Sequence, residues 1–96
     1  MSDRSAYEKK LQAKLDQRKA DIDKLRARAR EADANARIAL NSQADELERR
    51  HSELKHQLHQ VAEASDDAWD SVKEGAEAAW RKMESAFDKA RQKLRH

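Results

Sequence analysis

The apolar side chains of this chain keep one helical phase over almost its whole length. With successive residues placed roughly 100° apart, they fall within about 40° of a single line, with both Trp residues at its edge. A disordered polymer has no reason to keep this phase, so the pattern predicts an all-α protein. We predict that this apolar stripe is an interaction surface, formed by Leu11, Leu15, Ile22, Leu25, Leu40, Leu47, Leu54, Leu58, Val61, Trp69, Val72, Trp80, Met83, Phe87 and Leu94.

The stripe repeats every eleven residues better than every seven. Eleven residues over three turns give about 3.67 residues per turn, so packed helices are expected to be nearly straight or slightly right-handed. Strict heptads are confined to the N-terminal half. The steps of eleven are clearest in the series Leu25, Ala36, Leu47, Leu58, Trp69 and Trp80.

Few residues in the sequence would end a helix. The 96 residues include one Gly, no Pro and no Cys, so long helices are expected and disulfide or thiol chemistry is excluded. Charged residues make up 42% of the chain, but the net charge is only +2. The overall charge therefore does not call for a nucleic acid or an anionic membrane as partner.

One break is expected, at residues 64–66. Ser65 can cap a new helix, and the carboxylates of Asp66 and Asp67 would lie at its positive end. The sequence thus predicts one helical coiled-coil unit over residues 1–96, with a helix over about 3–63 and a shorter one over about 66–94. The alternative is one continuous long helix, because the stripe crosses Ser65 in phase.

The sizes of the side chains favour an antiparallel hairpin over the continuous helix. Folding about residue 65 would set Phe87 opposite Ala44 and Trp80 opposite His51, so that bulky groups meet smaller ones. Such a hairpin would leave the stripe of residues 7–35 uncovered. We therefore expect a homo-oligomer, and an unknown protein partner is a further candidate.

The best candidates for metal or catalytic chemistry are two Glu-x-x-His spacings near the middle of the chain. Glu48 and His51, and Glu53 and His56, are each three residues apart, which is a spacing found in di-iron bundles. His56 and His59 lie far from the stripe, so they are expected to face solvent. No nucleophile constellation or phosphate-binding loop accompanies them. The sequence predicts no catalytic residues, no metal and no cofactor, and hence no enzyme.

Nucleic-acid and membrane contacts are both less expected than helix packing. The cations of residues 24–30 alternate around the helix, which disfavours a DNA-binding basic region. The apolar side of residues 69–94 would suit a membrane surface, but residues 66–96 carry seven basic and seven acidic side chains and so lack a cationic excess. No apolar run follows Met1, so a cytoplasmic location is expected.

Residues 64–80, with two Trp residues eleven apart, resemble the C-terminal part of small bacterial coiled-coil proteins of unassigned function. That resemblance implies a helical, stress-associated or scaffolding role without catalytic residues. The repeat is also similar in period to apolipoprotein-like and desiccation-protein repeats, which become helical on lipid or on drying. The predicted function is a non-enzymatic scaffold or interaction protein that self-associates through the stripe. A peripheral lipid-binding or stress-protective helix is the alternative.

Overall fold

The chain folds into three α-helices that pack side by side. The computed structural model describes residues 3–94, with side chains as far as Lys93. Helix α1 is Asp3–Glu31, α2 is Ala34–Glu63 and α3 is Trp69–Leu94. Together they form a rod of 51 × 19 × 18 Å, and no strand occurs in the described residues. The predicted all-α class is confirmed.

Helix α2 lies at the centre of the packing. It runs antiparallel to α1 and packs against it, and α3 packs against the same helix. Helices α1 and α3 therefore run parallel to each other. The contacts between α2 and α3 agree with the predicted hairpin, whereas the continuous long helix is wrong because the chain reverses direction twice.

The predicted single helix over residues 3–63 is also wrong, because it is interrupted at Ala32 and Asp33. Asp33 is extended, with φ −66° and ψ 172°, and its carboxylate accepts a hydrogen bond from the backbone N–H of Ala36 at 2.9 Å. This is the usual arrangement of an N-cap residue. Since φ is negative, the turn needs no glycine, and the sequence carries no glycine to mark it.

An arginine caps the end of α1 at this turn. The last carbonyl groups of a helix have no partner within the helix and need a donor from elsewhere. Arg37 supplies it: Nε donates to the carbonyl of Ala29 and Nη2 to that of Ala32, both at 3.2 Å. The guanidinium thus takes the place of the glycine that commonly follows a helix.

The second turn is longer than predicted. It covers residues 64–68 instead of 64–66, and α3 begins at Trp69. Ser65 does act as a capping residue, since its hydroxyl and its carbonyl oxygens accept from the N–H of Ala68 at 3.3 and 3.1 Å. It caps the turn that precedes α3 instead of α3 itself.

A second arginine caps the end of α2 from the opposite end of the chain. Arg4 Nη2 donates to the carbonyls of Val61 at 3.3 Å and Ala64 at 2.6 Å, and Nη1 pairs with Asp66 at 3.1 Å. This contact fastens the start of α1 to the second turn. Both turns are therefore closed by guanidinium groups and not by glycine.

The apolar stripe forms the interior of the three-helix bundle. The expectation that residues 7–35 stay uncovered is wrong, because α1 turns back at residue 32 and buries its stripe inside the same chain. Each fully buried aliphatic side chain contributes about 1.5 to 3 kcal/mol to this packing. Leu58, Val72 and Trp80 are partly buried against the core, Trp69 is half-buried, and the Leu94 side chain lies outside the described residues. The fully or almost fully buried stripe residues are Leu11, Leu15, Ile22, Leu25, Leu40, Leu47, Leu54, Val61, Met83 and Phe87.

Replacing Asp33 with Ala is expected to lower the free energy of unfolding by about 1 kcal/mol, because the N–H of Ala36 in the first turn of α2 loses its acceptor. Urea denaturation followed by circular dichroism measures this change. Asn35→Ala is the control, since Asn35 is exposed two residues further on. An equal loss in the two variants would contradict the capping role of Asp33.

Candidate functional site

The side chains predicted to form an interaction surface are the core of the fold, so a functional surface has to lie elsewhere. Three regions outside the core are candidates. The first is the seam between α1 and α3, the second is the groove between α2 and α3, and the third is the solvent-facing side of α3.

The seam between α1 and α3 is wide and is filled by large side chains. No described Cα atom of α1 lies within 8 Å of one in α3. The gap holds the Trp80 ring, whose centroid lies 5.4 Å from Lys10 Nζ and 5.5 Å from Lys14 Nζ. Further along, the guanidinium of Arg18 lies 4.6 Å from the Phe87 ring centroid. Cation–π contacts of this kind stabilise by about 0.5 to 2 kcal/mol each.

The neighbours of the Trp80 ring differ from those expected for a two-helix hairpin. Trp80 was expected opposite His51, but its ring faces α1 instead of α2. His51 also contacts α1, with its Nε2 lying 2.9 Å from the carbonyl oxygen of Leu15. Helix α1 therefore provides the contact surface that the hairpin prediction assigned to α2.

Glu84 is the polar centre of the seam. Its carboxylate accepts hydrogen bonds from two nitrogens of Arg18 and from Trp80 Nε1 at 3.1 Å, and Lys14 Nζ lies 3.3 Å away. Partial burial alone would raise the pKa of Glu84, but the hydrogen bond and charge of Arg18, with Lys14, bring that pKa below its ordinary value. The cluster holds α3 in one register on α1. It is a structural contact and not a binding site, because its polar groups are occupied.

Glu84→Gln is expected to cost about 1 to 2 kcal/mol of stability at neutral pH, since the charge-assisted hydrogen bonds become neutral ones. The folded-state pKa of Glu84 is lowered, so its stabilisation is complete above the ordinary value of 4.5 and is lost as the pH falls through the lowered pKa. The difference in the free energy of unfolding between wild type and variant should therefore shrink as the pH falls through the lowered pKa. Thermal melts at a series of pH values test this. Glu63→Gln, at the exposed end of α2, should show neither effect.

The structure does not bring the predicted Glu-x-x-His pairs into a cluster. Glu48 accepts from Arg26 Nε at 3.1 Å, and this hydrogen bond lowers its pKa. Glu53 pairs with Arg50 at 3.2 Å, and His56 Nε2 lies 3.3 Å from Gln60 Nε2. Among the residues that the structure describes, no group of three or more His, Cys, Asp or Glu side chains is placed to hold a metal ion.

A groove of about 690 Å³ runs between α2 and α3. Beyond one end of the groove the two helices approach closely, since a Cβ atom on Gly75 would lie 3.0 Å from Gln57 Oε1. The α2 side carries Glu46, which is already paired with Arg49 at 2.7 Å and with Arg50 at 3.2 Å. The α3 side is basic and consists of Arg81, Lys82, Lys89 and Lys93 around small residues.

The solvent-facing side of α3 carries charges that are separated along the helix. The unpaired acidic residues, Asp70 and Glu74, lie in its first half, and the unpaired basic residues lie from its middle to its end. The exposed Asp88 also lies in the second half, but it pairs with Arg91 at 2.6 Å. Within residues 3–93 none of the other charged groups of this side has an ion-pair partner, whereas on α2 the exposed Arg49 pairs with Glu46 and Glu53. We call this surface the outer face of α3, made of Asp70, Glu74, Ala78, Arg81, Lys82, Ser85, Lys89 and Lys93.

Reasoning from the sequence missed the outer face because it summed the charge of residues 66–96. Seven acidic and seven basic groups cancel in that sum, which hides that Asp70 and Glu74 precede Lys89 and Lys93 on one side of α3. Plotting the charges of α3 residue by residue, on the side opposite the stripe, would have revealed the separation.

The apolar side of α3 is not free to meet a membrane in this fold. Met83 and Phe87, which would face lipid, are buried in the bundle. No helix in the described part of the chain combines the length and the apolarity that a membrane span requires. No protein-family model, curated protein or solved structure matches this chain.

Proposed function

We propose that the protein is a non-enzymatic interaction protein, a small helical bundle that presents the outer face of α3 to another protein. The observation that carries this proposal is the set of exposed, unpaired and segregated charges on that face. Elsewhere on the bundle, many exposed charges are neutralised by neighbours in the same chain. A surface whose charges are left unpaired is available for complementary charges on a partner.

The same face has a shape suited to a partner helix. Ala78 and Ser85 lie seven residues apart on its midline, so a second helix can approach closely between the charged side chains. Both residues also line the groove, together with Lys89 and Lys93, so the outer face continues into the groove toward α2. By contrast, association through the apolar stripe would require the bundle to open, because the stripe is already buried.

Site-specific photo-crosslinking in the cells that express the protein tests this function. A photoreactive residue at position 85, on the outer face, is expected to give a defined protein adduct. The same residue at Ser52, on the exposed side of α2, is the matched control and should not. The adduct should disappear when Lys89 and Lys93 are both changed to Glu. Equal adducts from the two positions, or none from position 85, would contradict the proposal.

A further inference from the structure

We propose that the partner of the outer face of α3 is a second copy of the same chain, bound with the two α3 helices antiparallel. This inference rests on the proposed function and names its partner. An antiparallel copy places the acidic half of one α3 against the basic half of the other. The interface is then self-complementary about a twofold axis, which is the commonest symmetry of soluble oligomers.

The spacing of the charges fits one register. Asp70 and Glu74 are four residues apart, and so are Lys89 and Lys93. With the twofold axis between residues 81 and 82, Asp70 faces Lys93 of the second copy and Glu74 faces Lys89. The same register places Ala78 against Ser85 on the midline, so small side chains meet where the helices cross.

The charge pattern is unfavourable in the isolated chain. Asp70 and Glu74 form a like-charged i, i+4 pair, as do Lys89 and Lys93, and each such pair destabilises a helix by about 0.2 to 0.5 kcal/mol. The helix dipole accounts for charges only in the first and last turns, so it does not explain Glu74 or Lys82 in the interior of α3. In the antiparallel dimer, each like-charged pair faces the oppositely charged pair of the second copy, and the contacts between the two pairs are attractive.

The dimer is expected to be weak and sensitive to salt. One helix pair buries less than the roughly 800 Å² per partner of a standard interface. Arg81 and Lys82 lie beside the twofold axis, where they repel the same residues of the second copy. The negative charge of Glu77, one turn earlier in each chain, offsets part of this repulsion. Exposed ion pairs are screened when the Debye length falls from about 30 Å at 0.01 M salt to about 3 Å at 1 M.

Sedimentation equilibrium across a concentration series tests the proposal on the wild-type protein. At low salt the average mass should rise toward twice the monomer mass, and at about 1 M salt it should return to that of the monomer. In NMR spectra recorded on dilution, the amide signals of the outer face should shift and those around Ser52 should not. A monomer at every concentration in low salt, or shifts on α2 alone, would overturn the proposal.

Two charge-reversed variants provide the decisive comparison. Asp70→Lys with Glu74→Lys makes the whole face basic, and Lys89→Glu with Lys93→Glu makes it acidic. Each variant alone should lose self-association, and an equal mixture should form a heterodimer, because each half again meets its opposite. Self-association that survives in either variant, or a mixture that stays monomeric, would overturn the proposal.

A matched control carries the same change of charge elsewhere. Glu31→Lys with Glu63→Lys alters two exposed acids at the ends of α1 and α2 and should leave self-association unchanged. A monomeric wild type would overturn the second copy as partner without deciding the proposed function. The adduct from position 85 still shows in that case whether α3 binds a different protein.

Discussion

Replacing Ile22 with Asp is expected to unfold the monomer. Ile22 is fully buried in the core, so the variant loses its packing and places an unpaired carboxylate where water does not reach. Removal of a buried Ile side chain alone costs about 2 to 5 kcal/mol, and an unpaired buried charge adds to that. Small domains have about 5 to 15 kcal/mol of stability in total, so the combined loss of packing and burial of a charge exceeds the stability of a bundle at the low end of that range.

Circular dichroism melts of this variant and of Gln17→Asp measure the effect. Gln17 is exposed on the same helix and receives the same charge, so its variant should melt close to wild type. The comparison also separates two roles of the stripe. If Ile22→Asp lost self-association but kept its helicity and melting temperature, the stripe would serve assembly and the buried core described above would be wrong.

Truncation after Ser65 is expected to destroy cooperative folding, because it removes α3 and uncovers the sides of α1 and α2 that α3 protects. Two helices of about 30 residues give a core too small for a stable domain without further support. The shortened chain should melt without a sharp transition or should aggregate. Thermal melts and sedimentation distinguish these results from a folded two-helix protein.

Adding the separate peptide of residues 66–96 provides the control for truncation. If α3 is a third layer of one bundle, the peptide should restore helicity and a cooperative melt, with a midpoint that rises with peptide concentration. A truncated chain that stays folded and monomeric by itself would contradict the three-helix core.

The sequence predicted which side chains are buried but not what buries them. The phase of the stripe identified Leu11, Ile22 and Leu54 correctly as members of one apolar surface. A stripe in phase across a turn is equally compatible with a rod, a hairpin and a three-helix bundle. Which of these three folds forms depends on the break at Asp33. The capping bond from Asp33 to Ala36 uses an ordinary residue in an ordinary backbone conformation, so the sequence did not mark the break.

Contacts between side chains distant in sequence could not be predicted, for a similar reason. Arg18 interrupts the stripe, but its pairing with Glu84 depends on α3 lying beside α1, which follows only from the break at residue 32. The outer face of α3 differs, since its charges are visible in the sequence. It was missed because charge was counted by segment instead of by side of the helix.

The arginine caps determine which contacts of the bundle are lost first as the pH falls. A guanidinium stays protonated and a carbonyl does not titrate, so the contacts of Arg37 with Ala29 and of Arg4 with Ala64 persist as the pH falls. The carboxylate of Glu84, by contrast, takes up a proton and releases its cations. Acid therefore weakens the contact between α3 and α1 at Glu84, near the middle of the rod, while the arginine contacts at both reversals of the chain are kept.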